Sequence, residues 1–228
     1  MINLSTIEFL AELSQNNNKA WFDINRPRYE IAKNNFREVV LIIFNEISLY
    51  DSKILFAPDK IKFFRINRDI RFSKDKTPYK SHFSAYISRG IGGLEGDYYI
   101  QVGANNSFIG GGLYMPTKED LNKIRVFISE QLVEWEHFLE NKKFGSTWKF
   151  EKTSWDDLKT IPRGFDKLDP AGDYLKIKRF IVSKHLTTDN LTNSNFEAQT
   201  IKDFKLLKEF LDYLELAKNY EPKLDYYI

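Results

Sequence analysis

One stretch of this 228-residue sequence concentrates the side chains that can do chemistry, and it runs from Phe64 to His82. Between Lys60 and Lys80 eight cations stand against two anions, while the whole chain carries a formal net charge of only +2, so the remainder is acidic. Arg65, Arg68 and Arg71 offer planar guanidinium forks that match the oxygens of a phosphate or carboxylate in pairs. Lys76 and Lys80 add point charge, and Tyr79 adds a phenolic donor. These six residues are the candidate binding set for a small phosphate- or carboxylate-bearing ligand. Asp69 and Asp75 can orient the arginines or act as general base. His82 follows the basic run and can carry a proton near neutral pH. With arginines stabilising developing negative charge, a hydrolytic or transfer step is open to such a site.

If the chain stays extended as far as Phe72, its side chains alternate between two faces. Arg65, Asn67, Asp69 and Arg71 then point one way, and Phe64, Ile66, Arg68, Ile70 and Phe72 the other. Arg68 interrupts an apolar face and needs a partner there, because an unpaired buried charge costs several kcal/mol. Two other readings compete with a ligand site. In one, the Arg-Asp cluster is an internal salt-bridge network in a structural or interaction protein. In the other, basic residues interleaved with Phe63, Phe64, Phe72 and Tyr79 contact phosphates and stack bases. Nucleic acid is not favoured, because the rest of the chain is net acidic and no known module motif is present.

The remaining features are weaker. Gly110-Gly111-Gly112 is not a phosphate-binding loop, since no Lys-Ser or Lys-Thr follows it; it reads as a flat surface where another element packs. His82, His137 and His185 show no metal-ligand spacing, and the chain has no cysteine, so the sequence calls for neither metal nor cofactor. His137 reads as solvated on the polar edge of a helix. Asp156 and Asp157 beside Trp155 read as helix-start acids. The aromatic tail from Tyr220 could dock on the body or on a partner.

Positioning the basic segment requires an α+β fold. The expectation is a single domain over 1–228, with a mostly antiparallel sheet of about five strands packed by N- and C-terminal helices. A helical part spans 1–50, a sheet-rich core 60–115, and a helix and strand part 117–217. Ser5 and Glu8 have capping-box form ahead of Phe9, Leu10 and Leu13, and Asn16-Asn17-Asn18 stops that helix. A longer helix starts near Pro27 with a stripe of Ile31, Phe36, Val39, Val40, Ile43 and Ile47. Strands are expected over 61–66, 82–88, 98–102 and 107–114. Gly103 to Asn106 forms a hairpin turn through residues that tolerate positive φ. Thr117 and Asp120 cap one helix running through Leu121, Ile124, Ile128, Leu132, Trp135 and Leu139. Asp169-Pro170 caps a short helix that leads to a strand at 179–182. Ser194 with Glu197 caps the last helix, striped by Ile201, Phe204, Leu207, Leu211 and Leu214.

The basic segment also resembles the signature of an uncharacterised, mainly bacterial family, the domain of unknown function numbered twenty-four sixty-one. That signature is met by Arg65, Arg68, Asp69, Arg71, Phe72, Asp75, Lys76 and Tyr79. Asn17 to Phe22, Phe108 to Pro116 and Pro162 to Asp166 are similar to the family as well, so the resemblance spans nearly the whole chain. It implies no catalytic role, because the family has no established activity. The first residues lack a basic n-region and a continuous apolar core, and no apolar run reaches the roughly 20 residues a bilayer needs. Together with the absence of cysteine, this sets the expectation of a cytoplasmic protein without membrane contact.

Overall fold

Apolar residues recurring every three to four positions build the first helices. In the computed structural model, which describes residues 1–56, 60–89, 97–151 and 157–221, α1 (Leu4–Gln15) buries Ile7, Phe9, Leu10 and Leu13. It begins at Leu4 with Asn3 in the cap position, so Ser5 lies inside the helix and the expected capping box does not form. Asn16 closes it, its amide donating back to the Glu12 carbonyl at 2.9 Å. A short α2 (Lys19–Ile24), not anticipated from the sequence, precedes α3 (Arg26–Ser48), which carries Pro27 in its first turn as expected. Ile31 departs from the expected stripe: it is exposed, while Phe36, Val39, Val40, Ile43 and Ile47 are buried. A single turn, α4 (Lys53–Phe56), leads towards the sheet.

The strands are β1 (Ile61–Phe63), β2 (His82–Ile87), β3 (Asp97–Gly103), β4 (Phe108–Leu113), β5 (Lys149–Phe150) and β6 (Phe180–His185). They form one open antiparallel sheet in the order β1-β2-β3-β4-β6-β5. The β3–β4 turn needs no positive φ, which no non-glycine residue adopts among the described residues. The Ser107 hydroxyl closes it instead, donating to the Gly103 carbonyl at 2.8 Å and accepting from the Gly103 N–H at 3.0 Å. Gly111 is bare because a Cβ there would lie 2.8 Å from Leu207 Cδ2 and 2.5 Å from the Asp97 carbonyl oxygen. The glycine run thus seats a helix, as the sequence reading favoured.

After Thr117, whose hydroxyl accepts the Asp120 N–H at 3.1 Å, the expected single helix is two. α5 (Lys118–Glu130) and α6 (Leu132–Glu140) break at Gln131, with φ −128° and ψ 38°. The break re-aims Trp135, which is fully buried, stacked on Tyr213 at 5.8 Å and edge-on to Phe180 at 5.9 Å. α7 (Lys142–Gly145) and α8 (Gly172–Lys176) follow. Asp169 accepts the Ala171 N–H at 2.7 Å in the turn before α8, but Ala171 holds the cap position with no side-chain cap, so the expected Asp169 cap does not form. Asp157 starts no helix; it accepts the Lys178 N–H at 3.1 Å. Trp155, Asp156 and the tail from 222 lie outside the described residues. α9 (Thr188–Thr192) carries its own capping box, Thr187 with Asn190. α10 (Phe196–Lys218) starts two residues after Ser194, and no side chain caps it.

The buried apolar side chains form one cluster running from Ile2 to Ala217 between the sheet and the helices. Phe36 of α3 stacks on Phe83 of β2 at 5.7 Å, and Phe204 of α10 meets Tyr98 of β3 at 5.0 Å. Both helices therefore sit on the face that carries Phe83, Ala85, Tyr98, Ile100 and Ile109. Among the described residues, no helix is long and apolar enough to cross a membrane.

Candidate functional site

The basic segment is an excursion at the sheet edge between β1 and β2. Phe64 N–H donates to the Ser84 carbonyl at 3.0 Å and so stays opposite β2. Asn67 then pairs with Tyr79, with Arg68 N–H to the Pro78 carbonyl at 2.9 Å and Lys80 N–H to the Ile66 carbonyl at 2.8 Å. Between these two pairings the returning strand holds extra residues, a bulge that breaks the register and re-aims the side chains beside it. This is why β1 ends at Phe63, short of the expected Ile66. Beyond Arg68 the chain leaves the extended form, so the expected alternation stops there. Phe72, expected on an apolar face, is 95% exposed.

Inside the loop the signature residues bind one another. Arg68 is ion-paired with Asp75 and hydrogen-bonded to the Thr77 hydroxyl. Arg71 makes a bidentate pair with Asp69, at 3.0 Å from Nε and 2.7 Å from Nη2. Lys76 Nζ donates to the Ile70 carbonyl at 2.9 Å. The Thr77 N–H, then Arg68 and the Thr77 hydroxyl, push the Asp75 carboxyl down to about 2. Arg71 holds Asp69 below the usual carboxylate range. Both carboxylates are therefore weak bases at neutral pH, since a general base works best with a pKa near the operating pH.

The base of the loop is clamped to the N-terminal helices. The Asn17 side chain accepts the Tyr79 N–H at 3.0 Å and donates to the Tyr79 carbonyl at 2.8 Å, as a neighbouring strand would. Asn18 caps α2 by accepting the Trp21 N–H at 3.0 Å. Phe22 stacks on the buried Tyr79 ring at 4.0 Å and 16°. Two sequence segments more than forty residues apart, Asn17 to Phe22 and Arg65 to Tyr79, are thus one structural unit. Burial raises the Tyr79 phenol, and the ring serves packing.

Arg65, on the short side of the bulge, escapes this quenching. Among the described residues no carboxylate lies within ion-pair distance of it. It faces a cleft of about 160 Å³ between the sheet edge and α3. Tyr29, Lys33, Phe36 and Arg37 reach the same cleft from one side of α3, where residues three and four apart are neighbours. Its aromatic wall is continuous: Phe36 meets Phe63 edge-on at 6.1 Å, and Tyr29 meets Phe83 at 6.1 Å. The Arg37 guanidinium lies 4.4 Å above the Phe63 ring and has no carboxylate partner among the described residues. Lys33 lies over Tyr29 at 5.1 Å and is paired with Glu30. Lys33 and Arg37 were not among the sequence candidates. The available signal was their spacing with Tyr29 and Phe36 on α3, which placed cations beside an aromatic stripe.

Lys80 and His82 occupy the long side of the bulge. The Lys80 ammonium sits 5.3 Å from the Phe64 ring, and burial followed by the nearby Arg65 lowers its pKa. Burial, then the Lys80 charge, pulls His82 below its usual 6.5. A folded-state value under the unfolded one makes stability rise with pH, because the unfolded chain binds the extra proton. His82 therefore contributes stability that is complete above about pH 6.5 and is lost as the pH falls towards its folded-state value. In denaturant titrations, the gap between the native chain and His82→Gln should shrink as the pH drops below 6.5. A gap that does not change with pH would contradict the assignment.

Among the described residues no three His, Asp or Glu side chains converge to hold a metal ion. Comparison with known proteins finds no matching curated protein and no matching solved structure. A family model described as a conserved hypothetical protein, DUF2461, matches residues 5–213, from α1 nearly to the end of α10, and the chain belongs to that family.

Proposed function

We propose that this protein binds a small anion, carrying a phosphate or carboxylate group on a short apolar or aromatic stem, in the cleft between α3 and β1. One observation carries the reading: Arg37 and Arg65 flank an aromatic-walled hollow, and neither has an ion-pair partner among the described residues. Guanidinium groups left without carboxylates favour an anion that completes their hydrogen bonding. Phe36, Phe63 and Phe83 supply a surface for the stem, and Lys33 adds charge at the rim. The volume bounds the ligand. Pockets for drug-sized molecules run to about 300–1,000 Å³, so a hollow of about 160 Å³ takes a single anionic group and a small ring, not a dinucleotide.

The reading is one of binding. Asp69 and Asp75 are engaged by Arg71 and Arg68, and no reaction is assigned to them. The same pairs favour the salt-bridge-network reading for the loop itself, which then serves to hold Arg65 at the cleft. A bacterial, cytoplasmic setting belongs to this proposal and rests on the family resemblance and the absence of cysteine.

The test is a melting-temperature series with inorganic phosphate, phenyl phosphate and benzoate. A ligand at about a hundred times its Kd stabilises the folded state by about 2.7 kcal/mol. For a chain of this size that corresponds to a rise of roughly 5–10 °C. Phenyl phosphate should raise the melting temperature more than phosphate alone. A flat response to all three at low salt would overturn the proposal.

A further inference from the structure

The sheet face turned away from α3 and α10 carries a second pattern, which adjoins the cleft at Phe64 and Ser84. One register row crosses all six strands: Lys62, Tyr86, Tyr99, Gly110, Ser183 and Lys149 are successive cross-strand partners. The parallel row two residues along holds Ser84, Gln101, Phe108 and His185, with Phe64 hydrogen-bonded beside Ser84. The rings in the two rows touch in series. Phe64 meets Tyr86 at 5.9 Å and Tyr99 at 6.4 Å, Tyr99 meets Phe108 at 5.4 Å, and Phe108 meets His185 at 6.5 Å. Tyr86, Tyr99 and Phe108 are half-buried, and Phe64 and His185 are exposed. At the centre Gly110, itself buried, places no side chain beside Tyr99.

Cations border this aromatic floor. Lys62 Nζ lies 5.9 Å from both the Phe64 and Tyr86 rings, and Lys80 Nζ lies 5.3 Å from Phe64. Lys149 stands at the opposite end of the first row, about 24 Å away across five strand spacings. At the corner beyond, the Arg179 guanidinium lies 4.6 Å from the Tyr114 ring. Among the described residues, the carboxylates on or next to these strands are Glu151, which accepts from Ser183 at 2.6 Å, and Asp97, so there the cations outnumber them.

The geometry points to a platform for single-stranded nucleic acid, with bases stacked on Tyr99, Phe108 and Phe64 and phosphates held by Lys62, Lys80 and Lys149. An open antiparallel sheet whose exposed rings stack unpaired bases is an established mode of single-strand recognition, and stacking tolerates any base because each has a π face. A duplex hides those faces and cannot use the platform. Other aromatic residues carry this surface than those the basic segment first pointed to: Tyr79 is buried and Phe63 faces the helices.

Fluorescence anisotropy with a short labelled oligothymidylate and an oligouridylate tests this, using the full chain at low salt. Both strands are expected to bind, and the matching duplex to bind at least tenfold more weakly. Tyr99→Leu with Phe108→Leu keeps apolar bulk but removes two rings, and should weaken binding about tenfold or more. Lys62→Ala with Lys149→Ala, at the exposed ends of the row, should reduce the salt dependence by a slope of about 1.4. Absence of single-strand binding, equal affinity for the duplex, or affinity untouched by both double variants would each overturn the proposal. Arg37→Ala should leave this binding unchanged, which keeps the platform distinguishable from the cleft.

Discussion

Replacing Asp51 with alanine is expected to lower the unfolding free energy by about 3–5 kcal/mol. Arg89 and Asp51 each have a side chain only 1% exposed, and Arg89 Nε lies 2.7 Å from Asp51 Oδ2. The Tyr98 hydroxyl donates to the same carboxylate oxygen at 2.8 Å. Asp212 of α10 also contacts Arg89 but is itself partly open to water and shared with Lys208. Without Asp51, a guanidinium remains in a dry interior with one outlying partner, and Tyr98 loses its acceptor; burial and the Asp51 charge already hold that phenol far above its usual range. The network joins the chain just after α3, the end of β2 and α10, so its loss is felt across the layers. Denaturant titration should show a lower midpoint with an unchanged slope, the mark of lost stability without a changed fold. The Arg89→Met and Asp51→Leu pair should recover much of the loss, because a buried ion pair is often no more stable than apolar residues of similar volume. A single-variant loss under about 1 kcal/mol would show that the pair is not buried as described.

None of Arg89, Asp51 or Asp212 stood out in the sequence. None lies in a recognisable motif, and only the fold brings residues this far apart together. The elements themselves were legible where periodicity was strong. The stripes of α3 and α10 and the three central strands were found nearly to the residue, because burial of one face imposes a period on the sequence. The misses were local. Ser5 and Ser194 have the form of caps, but neighbouring asparagines occupy the cap positions. The Gln131 break is invisible in a stripe that continues through it, since packing of Trp135 decides it.

The basic segment shows the same division at the site. Its excess of cations was plain, but which of them are neutralised depends on a loop that folds Asp75 onto Arg68 and Asp69 onto Arg71. Of the six candidates, Arg65 reaches the cleft, Lys80 lies on the other side of the bulge over Phe64, and Tyr79 is buried under Phe22. Lys33 and Arg37 come from a helix some thirty residues earlier, beyond the reach of any local pattern.

The second large effect concerns ligand affinity. Each arginine that holds an anion by charge-assisted hydrogen bonds contributes about 1.5–3 kcal/mol. Losing Arg37 and Arg65 together should therefore weaken binding on the order of a hundredfold or more. Arg71, paired with Asp69 and not among the residues lining the cleft, should matter little. Calorimetric titration with phenyl phosphate, comparing the native chain, Arg37→Ala with Arg65→Ala, and Arg71→Ala, puts this to the test. The account predicts one site in the native chain, no measurable heat in the double variant, and affinity within about twofold of native for Arg71→Ala. Binding that survives in the double variant, or that disappears with Arg71 alone, would contradict it.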